Sequence, residues 1–206
     1  MPPKVTPIRT TLAVAKNAPV AVVCVVMSSN LSRLYFWNLE TDEWIPGQFL
    51  KAEASIQDIS SDGKCFSYVA YGKMKPWVWQ EAANYGKSRY YICLAKPPYF
   101  SALFLFQVNG GESVNFIDDE TIGLSFCDSG HWGNSLEYGC PWTLKFEVEN
   151  LRPAGFAAFD HVNDRQLIGL GDRIVTRDVD GNDQLVKQFV VEPFESMPPP
   201  DWATRW

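Results

Sequence analysis

The 206-residue chain reads as an all-β protein, and three observations carry that prediction. Its apolar runs are dominated by β-branched and aromatic residues, which pack well on a pleated surface. Turn-forming clusters cut those runs into short segments, four of them between Thr11 and Leu50, at the spacing of short antiparallel strands. Third, a strand, turn, strand pattern recurs along the chain. Its clearest copy is Ser55–Tyr71, where apolar and polar residues alternate on both sides of Ser61-Asp62-Gly63-Lys64. Aspartate and glycine tolerate the backbone angles of a two-residue hairpin turn, so a β-hairpin is expected there.

Composition narrows the class further. A chain of this length buries a sizeable core without staples, and 46% hydrophobic with 14% aromatic residues excludes a disordered chain. The formal net charge of -6 opposes non-specific attraction to nucleic acid or to an anionic membrane. The one long apolar run, Pro19–Met27, is far shorter than the roughly 20 residues a membrane helix needs. Rich in valine, it reads as a buried strand. Ser28-Ser29-Asn30 behind it offers no small-x-small cleavage pattern, which argues against a secretory signal. The five cysteines, at 24, 65, 93, 127 and 140, lack the regular spacing of a disulfide scaffold, so a reducing, cytoplasmic setting is expected.

Taken in order, Met1–Arg9 is a proline-rich lead-in. The first unit, about residues 10–50, holds strands at Thr11–Ala15, Pro19–Met27, Arg33–Asn38 and Trp44–Leu50. The second, 51–108, holds the hairpin, an insertion at Gly72–Lys87, then Ser88–Lys96 and Ser101–Gln107, with Pro97-Pro98 forcing an extended corner. The third, 112–151, has Ser113–Ile117, Thr121–Phe126, a loop over Cys127–Pro141 and Trp142–Val148. The fourth, 155–192, has Phe156–Val162, Arg165–Leu170, Arg173–Val179 and Leu185–Val191. The first turns, marked by Asn17, Asp62, Asp119 and Asp164, are separated by 45, 57 and 45 residues, the long interval being the one with the insertion. A period in the forties with four strands per repeat is the signature of propeller blades, which bury their faces by stacking radially.

Ile56–Val69, with its S-S-D-G-K turn, resembles the inner strands of a WD-repeat-like β-propeller blade. Leu34–Trp44 and Arg173–Asp183 resemble the third-to-fourth-strand hairpins of the same repeats, although the Trp-Asp and Gly-His signatures are missing. The resemblance implies an architecture and transfers no active site. One β domain over residues 1–206 is therefore expected: a small propeller of four blade-like four-stranded units, closed within the chain or completed by dimerisation. A β-sandwich is the alternative. The tail, residues 193–206, offers a clasp through Pro198-Pro199-Pro200 and the anchors Trp202 and Trp206.

Chemistry-bearing residues are sparse. No Gly-x-Ser-x-Gly, phosphate loop or dinucleotide fingerprint occurs, and no cofactor is expected. Asp58 and Asp160 lie in first strands of two units, with His161 beside the second. Paired acids there would suit a propeller hydrolase or lyase working at the channel mouth. Turn duty is the competing account, since aspartate readily accepts backbone hydrogen bonds. Cys127, His131 and Cys140 share a loop with zinc-compatible chemistry, but C-x3-H-x8-C is not the spacing of a finger or ribbon, so no metal is expected. The insertion carries Lys75, Trp77, Trp79 and Tyr85, and Trp132 stands in the other long loop. Aromatic-rich loops on a rigid scaffold suit a protein or peptide partner first and carbohydrate second. The expected function is a binding module.

Overall fold

The computed structural model describes residues 9–71, 90–108, 113–125, 142–146, 156–178 and 180–205. Within them the chain forms four sheets, each built from strands consecutive in sequence. The first sheet holds β1 (Arg9–Val14), β2 (Val20–Ser28), β3 (Leu31–Asn38) and β4 (Glu43–Leu50). The second holds β5 (Glu53–Ile59), β6 (Phe66–Tyr71), β7 (Tyr90–Ala95) and β8 (Phe104–Val108). The third holds β9 (Ser113–Phe116), β10 (Thr121–Ser125) and β11 (Thr143–Phe146), and the fourth β12 (Ala157–Asp160), β13 (Arg165–Leu170), β14 (Arg173–Arg177) and β15 (Asp183–Gln188). An all-β fold of four sheets thus replaces the two layers of a sandwich.

Pairing is antiparallel except between β10 and β11, which run parallel. A hairpin cannot join parallel strands, so the chain leaves β10 at Ser125 and re-enters level with Thr121 only after a long connection. Three strands, not four, make the third sheet among the described residues. Two local expectations also shift. The strand expected from Ser101 starts at Phe104, because Pro97-Pro98 delays the return of the chain to β7. The Asp62 turn is a longer connection, Ser60 to Cys65, not a two-residue turn. Ser60 Oγ donates to Asp62 Oδ1 and receives the Cys65 N–H, while Gly63 takes a φ of 74° that a side chain would resist.

Three buried cores join neighbouring sheets. One face of the first sheet, with Val22, Cys24 and Leu34, packs on Ile56, Phe66 and Tyr68 of the second. Its other face, with Leu12, Val23, Val25 and Trp37, packs on Leu167 and Ile174 of the fourth. The opposite side of the second sheet, with Ile92, Leu94 and Phe104, packs on Val114, Phe116, Ile122 and Leu124 of the third. The sheets therefore follow the order fourth, first, second, third, and the last sheet of the chain lies against the first. Burial on both faces explains why β2 is a nearly unbroken valine run. No buried core joins the third sheet to the fourth, and no closed ring forms, among the described residues.

Short polar side chains stitch these junctions. Thr11 Oγ1 of β1 accepts the Ile56 N–H of β5 at 3.0 Å, and Asp58 Oδ2 of β5 accepts the Phe116 N–H of β9 at 2.8 Å. Ser32 Oγ donates to Ala52 and receives the Ala54 N–H. On the other side Thr10 Oγ1 donates to Gly171 O at 2.7 Å. Each such bond contributes only about 1 kcal/mol net, whereas each fully buried Leu, Val or Phe contributes about 1.5–3 kcal/mol. Apolar burial holds the sheets together; the hydrogen bonds fix where they meet.

The tail runs from the fourth sheet over the first to the end of β7 in the second, and among the described residues no side-chain hydrogen bond or ring contact takes it to the third. After β15, Phe189 packs on Tyr35 and Trp44, and Glu192 accepts from Tyr35 Oη and pairs with Arg33, a buried guanidinium held over the Phe49 ring. Gln48 Nε2 then donates to Met197 O at 2.9 Å. A 3₁₀ turn at Asp201–Thr204 buries Ala203 and lets Lys96 of the second sheet donate to the carbonyls of Trp202 and Arg205. Trp202 meets the Tyr99 ring edge-on yet stays 53% exposed, so it is a contact and not a buried anchor. Trp206 lies outside the described residues.

Gly169 of β13 sits where the fourth sheet meets β1. A Cβ there would lie 2.4 Å from the Thr10 carbonyl oxygen, a backbone atom that cannot swing aside. Gly169→Ala is expected to destabilise the protein by about 1–3 kcal/mol, read as a lower urea midpoint at unchanged slope. An unchanged midpoint would show that the two sheets are not held at this distance.

Candidate functional site

The first strands of the four sheets, β1, β5, β9 and β12, run alongside one another and line an open cavity of about 290 Å³. Leu12 and Val14 of β1 and Ala157 and Ala158 of β12 give it an apolar wall. Lys16, Gln57, Asp58, Asn115 and His161 bring polar groups to it, and Phe159 adds a ring that is 54% exposed. The lining comes in short runs, Leu12–Val14, Gln57 with Asp58, and Ala157–Phe159, beside residues such as Ile56 and Val114 that enter the inter-sheet cores.

Asp58 is the most constrained polar group of the cavity. Its Oδ1 accepts the Ile59 N–H at 2.9 Å, its Oδ2 accepts the Phe116 N–H at 2.8 Å, and the Asn115 side chain also bonds it. Burial pushes its pKa above the ordinary 3.8, against the pull of those hydrogen bonds and of the Lys16 charge. Since the Asn115 amide is turned toward this carboxylate, its own Oδ1 is left buried with no donor.

Asp160 behaves differently, and the expected pairing with Asp58 does not form. Its carboxylate is fully buried and committed to its own turn: Oδ1 accepts the Val162 and Asn163 N–H groups, Oδ2 accepts Asn163 Nδ2 and Arg165 Nε. Burial alone would raise its pKa, but the donors from Asn163 and Arg165 hold it below the ordinary value. Asp160 does not line the cavity; Asp58 and His161 do.

Lys16, Asn115 and Phe159 escaped the sequence reading. A signal existed for one of them: Asn115 stands four residues before Asp119, as Asp58 stands four before Asp62. Lys16 falls in the first turn and Phe159 within the strand Phe156–Val162, and only the packing of four strands around one space makes either a site residue. The remaining predicted positions, Lys75, Trp77, Trp79, Tyr85, Cys127, His131, Trp132 and Cys140, lie outside the described residues. Among the described residues no three His, Cys, Asp or Glu side chains are grouped as metal ligands. Cys24 and Cys93 are buried and unbridged, and burial pushes both thiols up to about 12, which leaves them protonated packing groups. A second cavity, of about 350 Å³, lies along the tail between Arg33, Trp44, Lys187 and Glu192.

Comparison of the chain with protein-family models, with curated proteins and with solved structures finds no match.

The two aspartates predict opposite pH behaviour. A raised folded-state pKa means that the folded protein holds the proton more tightly than the unfolded chain, so Asp58 costs nothing at low pH and destabilises as pH rises through the window from about 4 upward. Asp160, with a depressed pKa, contributes stability above about pH 4 that is lost as pH falls toward its folded value. Urea unfolding of wild type against Asp58→Asn is expected to show a stability difference that moves in favour of Asn with rising pH. A pH-independent difference would mean that Asp58 is not desolvated.

Proposed function

We propose that the chain is a binding module on a propeller-like scaffold, with a small-molecule ligand entering the cavity lined by the first strands. The observation that carries this reading is convergence. Lys16, Asp58, Asn115 and His161 lie on, or just beyond, the first strands of four different sheets and reach one space. Support for the propeller-like arrangement comes from sheets that follow chain order, from first strands gathered around the cavity, and from the packing of the fourth sheet on the first. Binding is favoured over hydrolase or lyase chemistry because a carboxylate mechanism needs two converging acids. Asp160 is consumed by its turn, and Asp58 is already held by three donors. The buried, unbridged thiols Cys24, Cys65 and Cys93 favour a reducing, cytoplasmic setting.

Ala157→Trp tests the site, since a large ring on this exposed position fills the cavity from its apolar wall. In ligand-observed NMR against a fragment mixture, wild type is expected to give binders that the Trp variant loses. The same binders on both proteins would sink the assignment.

A protein or peptide partner is proposed separately for residues 72–87, with Trp77, Trp79, Tyr85 and Lys75, and Trp132 in the other loop. The favouring observation is the root of the insertion. Tyr71 and Tyr90 are cross-strand partners with ring centroids 5.0 Å apart, so both ends of the segment leave the sheet side by side. Pull-down with a Trp77→Ala, Trp79→Ala double variant is expected to recover fewer partners than wild type. Equal recovery would remove the loop from the binding account.

A further inference from the structure

We infer that the ligand of this cavity is a small, neutral, polyhydroxylated molecule of monosaccharide size, held among the first strands of the four sheets. The inference rests on the binding reading above and gives it a ligand class. At two seams a side-chain oxygen on one first strand accepts an N–H from the next: Thr11 from Ile56, Asp58 from Phe116. On β9 the corresponding acceptor, Asn115 Oδ1, is buried and has no donor. Asn115 lines the cavity, and a small turn of its side chain exposes Oδ1 to a ligand hydroxyl that supplies the missing donor; a buried acceptor left unpaired is costly enough to favour that contact.

The rest of the cavity narrows the chemistry. Lys16 and Asp58 bring one charge of each sign, so a net cation or anion gains on one side what it loses on the other, while a neutral ligand loses nothing. Lys16 donates only, Asp58 accepts only, and Gln57 does both, a mixed set that matches hydroxyl groups, which also do both. Phe159 presents an exposed ring at the same wall, a platform for the apolar C–H face of a sugar or cyclitol. A space of about 290 Å³ is at the small end of ligand sites, which suits one ring and excludes a chain of them.

Saturation-transfer NMR on the whole chain tests the class, with methyl glucoside, methyl galactoside, N-acetylglucosamine and inositol at millimolar concentration beside butylamine and butyrate. At least one polyol is expected to bind, with affinity about tenfold weaker in Phe159→Ala and retained in Phe159→Tyr. Phe159 is exposed, so these variants are expected to keep the wild-type circular dichroism; Asn115→Leu, with its fold checked the same way, is expected to abolish binding. Amine or carboxylate binding without polyol binding would overturn the inference and leave the cavity as a ligand site. Polyol binding that survives both Phe159→Ala and Asn115→Leu would place the ligand elsewhere and overturn it as well. No probe bound, together with fragment spectra unchanged by Ala157→Trp, would end both readings.

Discussion

A strand at the margin of a sheet exposes a row of backbone donors and acceptors, and in this protein the first strand of every sheet is such a margin. Burying four margins around one space without pairing them would carry a heavy desolvation penalty. The chain meets the constraint with short polar side chains lent by the neighbouring sheet, Thr11 to Ile56 and Asp58 to Phe116, with Thr10 and Ser32 serving nearby carbonyls. Small hydroxyls inside otherwise apolar strands therefore have a definite cause. They let sheets approach closely enough for the valine, leucine and phenylalanine faces to interlock, and they set the height at which each sheet meets the next.

The seams are not equal. The junction of fourth and first sheets has Leu12, Trp37, Leu167 and Ile174 in a common core, Gly169 pressed against β1, and the tail fastened over it by Glu192 and Arg33. The first-to-second junction is covered in turn by the Gln48, Met197 and Lys96 contacts. Among the described residues no buried core joins the third sheet to the fourth, and the first strands of all four sheets line the open cavity. A cavity lined by strands that are fastened into packed cores is the arrangement a binding site needs.

Aspartates of similar position serve unlike ends. Asp58 and Asp160 each stand four residues before a turn marker in a first strand. Asp160 meets an arginine and an asparagine on its own hairpin and is held ionised; Asp58 meets mainly backbone donors and the second-hand charge of Lys16, and burial prevails. Local sequence explains the first, because Asn163 and Arg165 are neighbours along the chain. Nothing local explains the second, since Phe116 and Asn115 come from another sheet.

The amino-acid pattern alone determined that the protein is all-β, where most strands begin and end, and that the unit of construction recurs with Asn17, Asp62, Asp119 and Asp164 at its first turns. Those are properties of alternation, valine content and turn chemistry, which act over a few residues. Tertiary structure alone decided that β11 runs parallel to β10, that the tail runs over the first sheet to the second, and that Lys16, Asn115 and Phe159 share a cavity with Asp58 and His161. Each of these depends on contacts between residues distant in sequence, for which a linear pattern of polar and apolar letters holds no coordinate.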